Sequence, residues 1–457
     1  TLLIAVFKFK KFRKNYILTT KMELQVLPTR PRDAEAPAGT GPHEKGYWDP
    51  FKERKLDHAT TDGETLTHLL KASLGTGILA MPAAFKNAGM ITGIFATIIV
   101  SLVCTHCSYV LVKCAHSLYH RKKVTTMTFA DVGEVAFANG PPWGRKFSKW
   151  ARFSILFGLF LAYFGTCSVY TVIIAKNFKI VKHHSHYNAD IRFYIAVLLV
   201  PLILLSWIPN LKYLAPISML ANFLMAGGLG ITFWYLVWDL PSTLPDFFST
   251  TIFAIEAIGV IMPLENAMET PQHFVGICGV LNRGMSGVTM IYILLGFLGF
   301  LKFGDAAQDN ITNNLDITQI NCCFCTFGLQ FFVCLEIGWD AVKGYFPKRQ
   351  RFYNYIVRTV LVSGAVFLAI AVPTIGPFIN LIGALCFSLL GLIIPVFIEF
   401  VTYWDVGFGS FNWIVWKNIL VLIFGVLALF FGSATSIKGI AELYAPQNAA
   451  ADGFNRL

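Results

Sequence analysis

The sequence predicts an all-α polytopic membrane protein of eleven transmembrane helices, the first and sixth of them broken. Three observations predict it. The 457 residues are 55% hydrophobic and 14% charged, against about 25% charged in soluble domains. The apolar residues come in blocks of about 20, the length that spans a hydrocarbon core of ~30 Å. The basic residues flank these blocks instead of forming one patch with interleaved aromatics, which excludes the nucleic-acid reading that a net charge of +11 invites. No catalytic nucleophile, phosphate loop or metal-ligand spacing is present, so neither an enzyme nor a resident cofactor is expected.

The spans fall near 66–86, 91–113, 150–176, 190–208, 213–238, 250–268, 284–303, 320–342, 353–372, 375–402 and 414–436. Lys and Arg number 28 on the side of the N-terminus and seven on the other. The bias puts the N-terminus in the cytoplasm and, with an odd span count, the C-terminus on the extracellular or lumenal side. Residues 1–64 are polar, Pro-containing and of mixed charge, and are read as a disordered cytoplasmic tail. Within it, residues 1–21 are read as upstream of a start at Met22, or as a basic arm for anionic lipid. Residues 65–442 form the transmembrane domain and 443–457 a short tail. Asn310-Ile311-Thr312, the one N-x-S/T tripeptide, falls in the outer loop after span 7 and is a candidate glycosylation site.

The loops hold weaker signals. Cys322, Cys323 and Cys325 crowd the outer end of span 8, where packing competes with pairing. His183, His184 and His186 sit in the loop after span 3 and read as a solvated segment more readily than as a metal site. In the cytoplasmic segment 118–149, Thr128–Phe137 has apolar residues at helical spacing. That segment is either a packed loop helix or one that lies along the interface or plugs the inner vestibule.

The chemistry concentrates at the two breaks. In span 1, Gly75 and Gly77 flank Thr76, and Pro82 follows five residues after Gly77. Two glycines so close permit the angles that end one half-helix and begin another. A half-helix beginning near Ile78 offers free N–H groups to a carboxylate; one ending near Leu74 offers carbonyls to an ammonium group. A Gly-rich helix crossing is the competing explanation. In span 6, the run from Phe253 through Glu256 and Gly259 to Pro263 repeats the pattern. In lipid an unpaired backbone group costs several kcal/mol, so paired breaks point to the substrate site of a secondary transporter. Glu256 is a carboxylate in an apolar stretch, a proton or ammonium site or else a pin between helices. Glu265, nearer the span end, reads as structural. His68 lies two turns before Gly75 on the same face, and histidine is the side chain that changes charge in the physiological range; it either faces the break or contacts headgroups.

The stretch His68–Pro82, then Lys86-Asn87-Ala88-Gly89, resembles the amino acid/auxin permease family, in particular its proton-coupled amino acid transporter branch. So do Ile255–Asn266, Gly328–Val333 and Gly391–Pro395, while Thr250–Glu256 is most similar to insect members. The resemblance covers residues 60–442. It implies a LeuT-like fold of two inverted five-helix repeats plus an eleventh helix. It further implies alternating-access symport of a proton with small neutral amino acids at the plasma or lysosomal membrane. The proton is then the coupling ion, and amino acids, protons and the bilayer are the partners. His68 matches the family's coupling histidine and His106 a second one. Gly75, Thr76 and Gly77 match the backbone site for the amino acid, and Phe253 and Glu256 the start of the second break. An amino-acid-sensing transceptor of the same fold, with little flux, is the alternative. Three features depart from the family: no cysteine in the loop after span 3 to pair with Cys322 or Cys323, a short 239–249 loop, and a span 8 about two turns shorter before Cys323.

Overall fold

A computed structural model describes residues 48–54, 59–73, 76–183, 190–207, 258–276, 278–308, 320–343, 349–373 and 375–442, with single positions at 227, 230, 251, 255, 310, 311 and 314. The described residues are helical, and their one β-type pairing is an isolated bridge between Thr60 and Met268. Six helices are long and apolar enough to cross a membrane: Met90–Lys122, Ser148–Lys179, Val280–Ala306, Gln350–Ala371, Gly376–Thr402 and Trp413–Ala441. The chain is a multi-pass integral membrane protein. Span 5 and most of the first half of span 6 lie outside the described residues, as do Gly75, Phe253 and Glu256.

Span 1 is broken. Helix α1 (Asp62–Ser73) opens on a capping box, with Thr61 N–H donating to Glu64 Oε2 at 2.9 Å and Glu64 N–H to Thr61 Oγ1 at 3.3 Å. The backbone and side-chain bonds from Thr61 hold the Glu64 carboxyl below the usual carboxylate range. After the break comes a 3-10 turn (Thr76–Ala80) and then α2 (Met81–Ala88). The second α-helical half thus begins at Met81, not near Ile78. Pro82, in the first turn of α2, needs no intrahelical partner there, and the preceding residues take the tighter 3-10 winding instead.

Helix α3 (Met90–Lys122) ends at Lys123 in the left-handed conformation, φ 54°. The short helix α4 (Phe129–Ala138) carries a second capping box, from Thr128 and Asp131. It packs on α3 and on α5 (Ser148–His183), where Arg152 bonds both Asp131 and Glu134. Burial alone would raise the Asp131 carboxyl, but Thr128 and Arg152 outweigh it and hold it low. Of the two readings of this segment, the packed loop helix fits. Span 4 forms two short helices, α6 (Ile191–Val197) and α7 (Leu199–Ser206), because Pro201 cannot donate to the Val197 carbonyl.

Helix α8 (Ile258–Ala267) is the described half of span 6, and α9 (Val280–Phe303) follows. Helix α10 (Ile320–Val342) has 23 residues, about 35 Å at 1.5 Å each, so span 8 reaches across a bilayer despite its shortened start. Helix α11 (Gln350–Ala371) precedes span 10, which divides into α12 (Gly376–Ile382), a π-helical stretch Gly383–Ile393 and α13 (Ile394–Thr402). Pro395 removes the bond to Gly391, which loosens the winding just before it. The last helix, α14 (Trp413–Glu442), rests on span 10 and leaves Trp416, Leu420, Ile423, Leu427, Phe430 and Phe431 exposed.

One sequence boundary moves. Residues 48–54 and 59–64, assigned from composition to a disordered tail, include an ordered stretch that packs against the helices, with Arg54 only 3% exposed. Asn310 is buried at 3% exposure.

Candidate functional site

Glycines on α9 let the broken first helix lie close. The Leu69 side chain of α1 packs on Gly284, Phe85 of α2 on Gly296, and Pro82 on Gly299. A Cβ at Gly296 or Gly299 would collide with those rings, so α2 meets α9 backbone to side chain. Phe85 also covers Gly93 of α3, which locks α2 between α3 and α9. Ser101 of α3 and Thr289 of α9 share a buried hydroxyl–hydroxyl hydrogen bond on the same interface.

This cradle places the end of α1 among tyrosines. Tyr292 of α9 is fully buried, and its hydroxyl donates to the Ser73 carbonyl, one of the orphan acceptors left where α1 stops. The Ser73 hydroxyl is itself buried and has no hydrogen-bond partner among the described residues. On α5, the Tyr163 hydroxyl lies against Gly259 of α8. Tyr170, two turns further along the same face of α5, approaches Tyr292. One face of α5 therefore carries one tyrosine toward α8 and another toward the end of α1.

Of the residues singled out in the sequence, Gly77 and Ile78 are buried in the 3-10 turn, and the Thr76 backbone belongs to it. Gly259 is half-buried against Tyr163. His68 is exposed on α1, one turn from Glu64, between the buried Thr65 and Leu69. His106 lies within α3, its Nε2 buried without a hydrogen-bond partner among the described residues. Gly75, Phe253 and Glu256 lie outside the described residues, so their placement relative to these groups is not described. Sequence reasoning missed Tyr163, Tyr170 and Tyr292. The one signal for them was a pair of tyrosines seven residues apart in span 3, and that pattern more often marks plain packing.

Glu265, assigned a structural role from its position near the end of span 6, is fully buried. It accepts from Tyr119 Oη at 2.8 Å and from Arg54 Nη2 at 3.2 Å, and lies 3.0 Å from His116 Nε2. Among the described residues, no group of His, Cys, Asp and Glu could hold a metal ion.

Comparison with known proteins gives a consistent picture. Residues 58–438 match the family described as Transmembrane amino acid transporter protein. The Drosophila melanogaster "Proton-coupled amino acid transporter-like protein pathetic" is 56% identical over 445 residues, covering 93% of both chains. The Arabidopsis thaliana "Amino acid transporter ANT1" is 25% identical over 420 residues, 82% of this chain and 92% of the relative. Among solved structures, an Eremococcus coleocola manganese transporter aligns over 88% of this chain and 93% of its own at 13% identity. Its TM-score of 0.47 carries no argument about the fold. The extent of the profile match and the identity to the Drosophila relative make the assignment: this chain belongs to the transmembrane amino acid transporter family.

Proposed function

We propose that the chain is a secondary active transporter that carries small neutral amino acids together with a proton by alternating access. It has eleven helices in two inverted five-helix repeats plus one, and works at the plasma or lysosomal membrane with its N-terminus in the cytoplasm. The observation that carries this reading is the buried Ser73 hydroxyl, without a hydrogen-bond partner among the described residues, in the last described turn of α1 where the winding changes to a 3-10 turn from Thr76. A buried polar atom so placed invites a ligand or water. The first N–H groups of a 3-10 turn lie outside its own ladder, so Gly77 and Ile78 offer donors to a carboxylate.

The Tyr292 bond to the Ser73 carbonyl narrows the other half of the reading. Tyr292 takes one of that carbonyl's two lone pairs, so the ammonium group is shared between the free carbonyl lone pairs at the end of α1 and Glu256. Small substrates suit a site hemmed by Tyr163, Tyr170 and Tyr292. His68 is the proposed coupling residue, since an exposed imidazole exchanges protons readily, and Glu256 is the rival. The name of the Drosophila relative supports proton coupling.

The test is uptake of radiolabelled alanine or proline into proteoliposomes with and without an inward proton gradient. Concentrative uptake that collapses without the gradient is expected. Saturable binding with no flux under either condition would overturn the transport reading in favour of a sensor.

A further inference from the structure

We propose that Arg54 is a positioning residue for transport, tying the start of α1 and the end of α8 to α3 and so holding the inner face closed. The proposal rests on the alternating-access reading above.

Hydrogen bonds from Arg54, Thr60 and Asp62 join the start of α1 and the segment before it to the end of α8 and the loop after it. Arg54 Nη1 donates to the Glu265 carbonyl at 3.0 Å and Nη2 to its carboxylate at 3.2 Å. Thr60 N–H donates to the Ala267 carbonyl at 2.8 Å, and Glu269 N–H to the Thr60 carbonyl at 3.0 Å. Asp62, the first residue of α1, accepts from Thr270 Oγ1 at 3.0 Å and lies 3.0 Å from His273 Nδ1. Since α1 leads to Ser73 and α8 carries Gly259, these ties couple the two helices that flank the proposed site.

The same arginine anchors this pair to a third element. Its Nε and Nη2 donate to the Thr125 carbonyl, just past α3, at 2.9 and 2.6 Å. Tyr119 and His116, both on α3, hold the Glu265 carboxylate from the other side. Phe51 covers the cluster, its ring 5.0 Å from that of His116 in an edge-on contact. The planar guanidinium makes four N–H···O bonds to two carbonyls and a carboxylate, one more than an ammonium has donors for. Parting α1 and α8 from α3 therefore means breaking the Arg54 bonds to the Thr125 carbonyl and the Tyr119 and His116 contacts to the Glu265 carboxylate. Each of these leaves a charged partner of the buried Arg54–Glu265 pair short of hydrogen bonds until water reaches it. That makes the cluster a threshold for inner opening and not just a packing contact.

The reporter is Ser73→Cys in a Cys278→Ser background, labelled from the cytoplasmic face of inside-out vesicles with an impermeant maleimide. The same background with Ser73 intact supplies the rate to subtract. Arg54→Ala is expected to raise labelling of the introduced thiol about ten-fold, the scale set by losing charge-assisted buried hydrogen bonds, with Arg54→Lys in between. A merely structural loss would reduce the amount of folded protein without changing the rate per molecule. If Arg54→Ala does not reach the membrane, Arg54→Lys decides: faster labelling than the parent supports the tie. Equal rates in parent and variant overturn it, provided that alanine alters the parent rate. If alanine leaves the parent rate unchanged, alternating access fails, and the proposal with it.

Discussion

Replacing Gly259 with alanine tests the contact between α5 and α8. A Cβ built there falls on the Tyr163 hydroxyl, with ring carbons Cε2 and Cζ both at 3.2 Å. The hydroxyl must move by most of an ångström, and the ring edge by a few tenths. Tyr163 is 8% exposed and part of the core, so the ring cannot simply swing into open space. Overpacking of this kind costs about 1–3 kcal/mol. If the strain falls on the substrate-bound arrangement, that range is about a 5–150-fold rise in the KM for alanine uptake. Tyr163→Phe removes the nearest atom and leaves the two carbons, so it should restore part of the loss. A double-mutant cycle on KM, with amounts at the membrane matched, measures the coupling. Wild-type KM in Gly259→Ala, or equal damage with and without the Tyr163 hydroxyl, would refute the contact and its role.

The remaining predictions address coupling, the end of α1 and the outer loop. His68→Ala should abolish uptake and current driven by a proton gradient while sparing exchange of internal for external amino acid. If Glu256→Gln loses the current and His68→Ala keeps it, the glutamate is the coupling residue. Tyr292→Phe orphans the buried Ser73 carbonyl and should cost about 1–3 kcal/mol, read as a lower Tm in detergent. Because Asn310 is buried, glycosidase treatment should leave the wild-type mobility unchanged, and Asn310→Gln should match it. A mobility shift present in wild type and lost in Asn310→Gln would show that the loop is open to the modifying enzyme.

Local punctuation was legible in the sequence. Gly75, Gly77 and Pro82 announce the first break because they alter backbone angles and donors within a few residues. Thr128 with Asp131 caps a helix that helical spacing had already marked. The start of α2 was less legible. A 3-10 turn and an α-helix admit the same residues, and the choice between them rests on how Phe85 and Pro82 seat against α3 and α9. Pro201 could have located the division of span 4, since the missing donor is readable from one residue, but an apolar run reads as one span. Contacts between distant segments left no trace. Arg54 and Glu265 are 211 residues apart, and a charge in a polar tail looks solvated until the tail is seen to fold back. The tyrosines of α5 and α9 were invisible for the same reason: aromatic residues in an apolar span carry no label for what faces them.

The exposed side of α14 acts as a ruler for the surrounding lipid. From Trp416 to Ile437, both exposed, the helix rises about 32 Å at 1.5 Å per residue. A surface membrane rich in sterol has a hydrocarbon thickness of about 32–33 Å, and the endoplasmic reticulum about 27 Å. An upright α14 matches the first and overshoots the second by several ångströms. In the thinner membrane the helix must lean or the lipid must thicken around it, at fractions of a kcal/mol per ångström. Because α14 rests on span 10, with its π-helical stretch, a lean would press on the loosest winding in the molecule. Bilayer thickness thereby becomes a mechanical load on the protein, set by the compartment in which it resides.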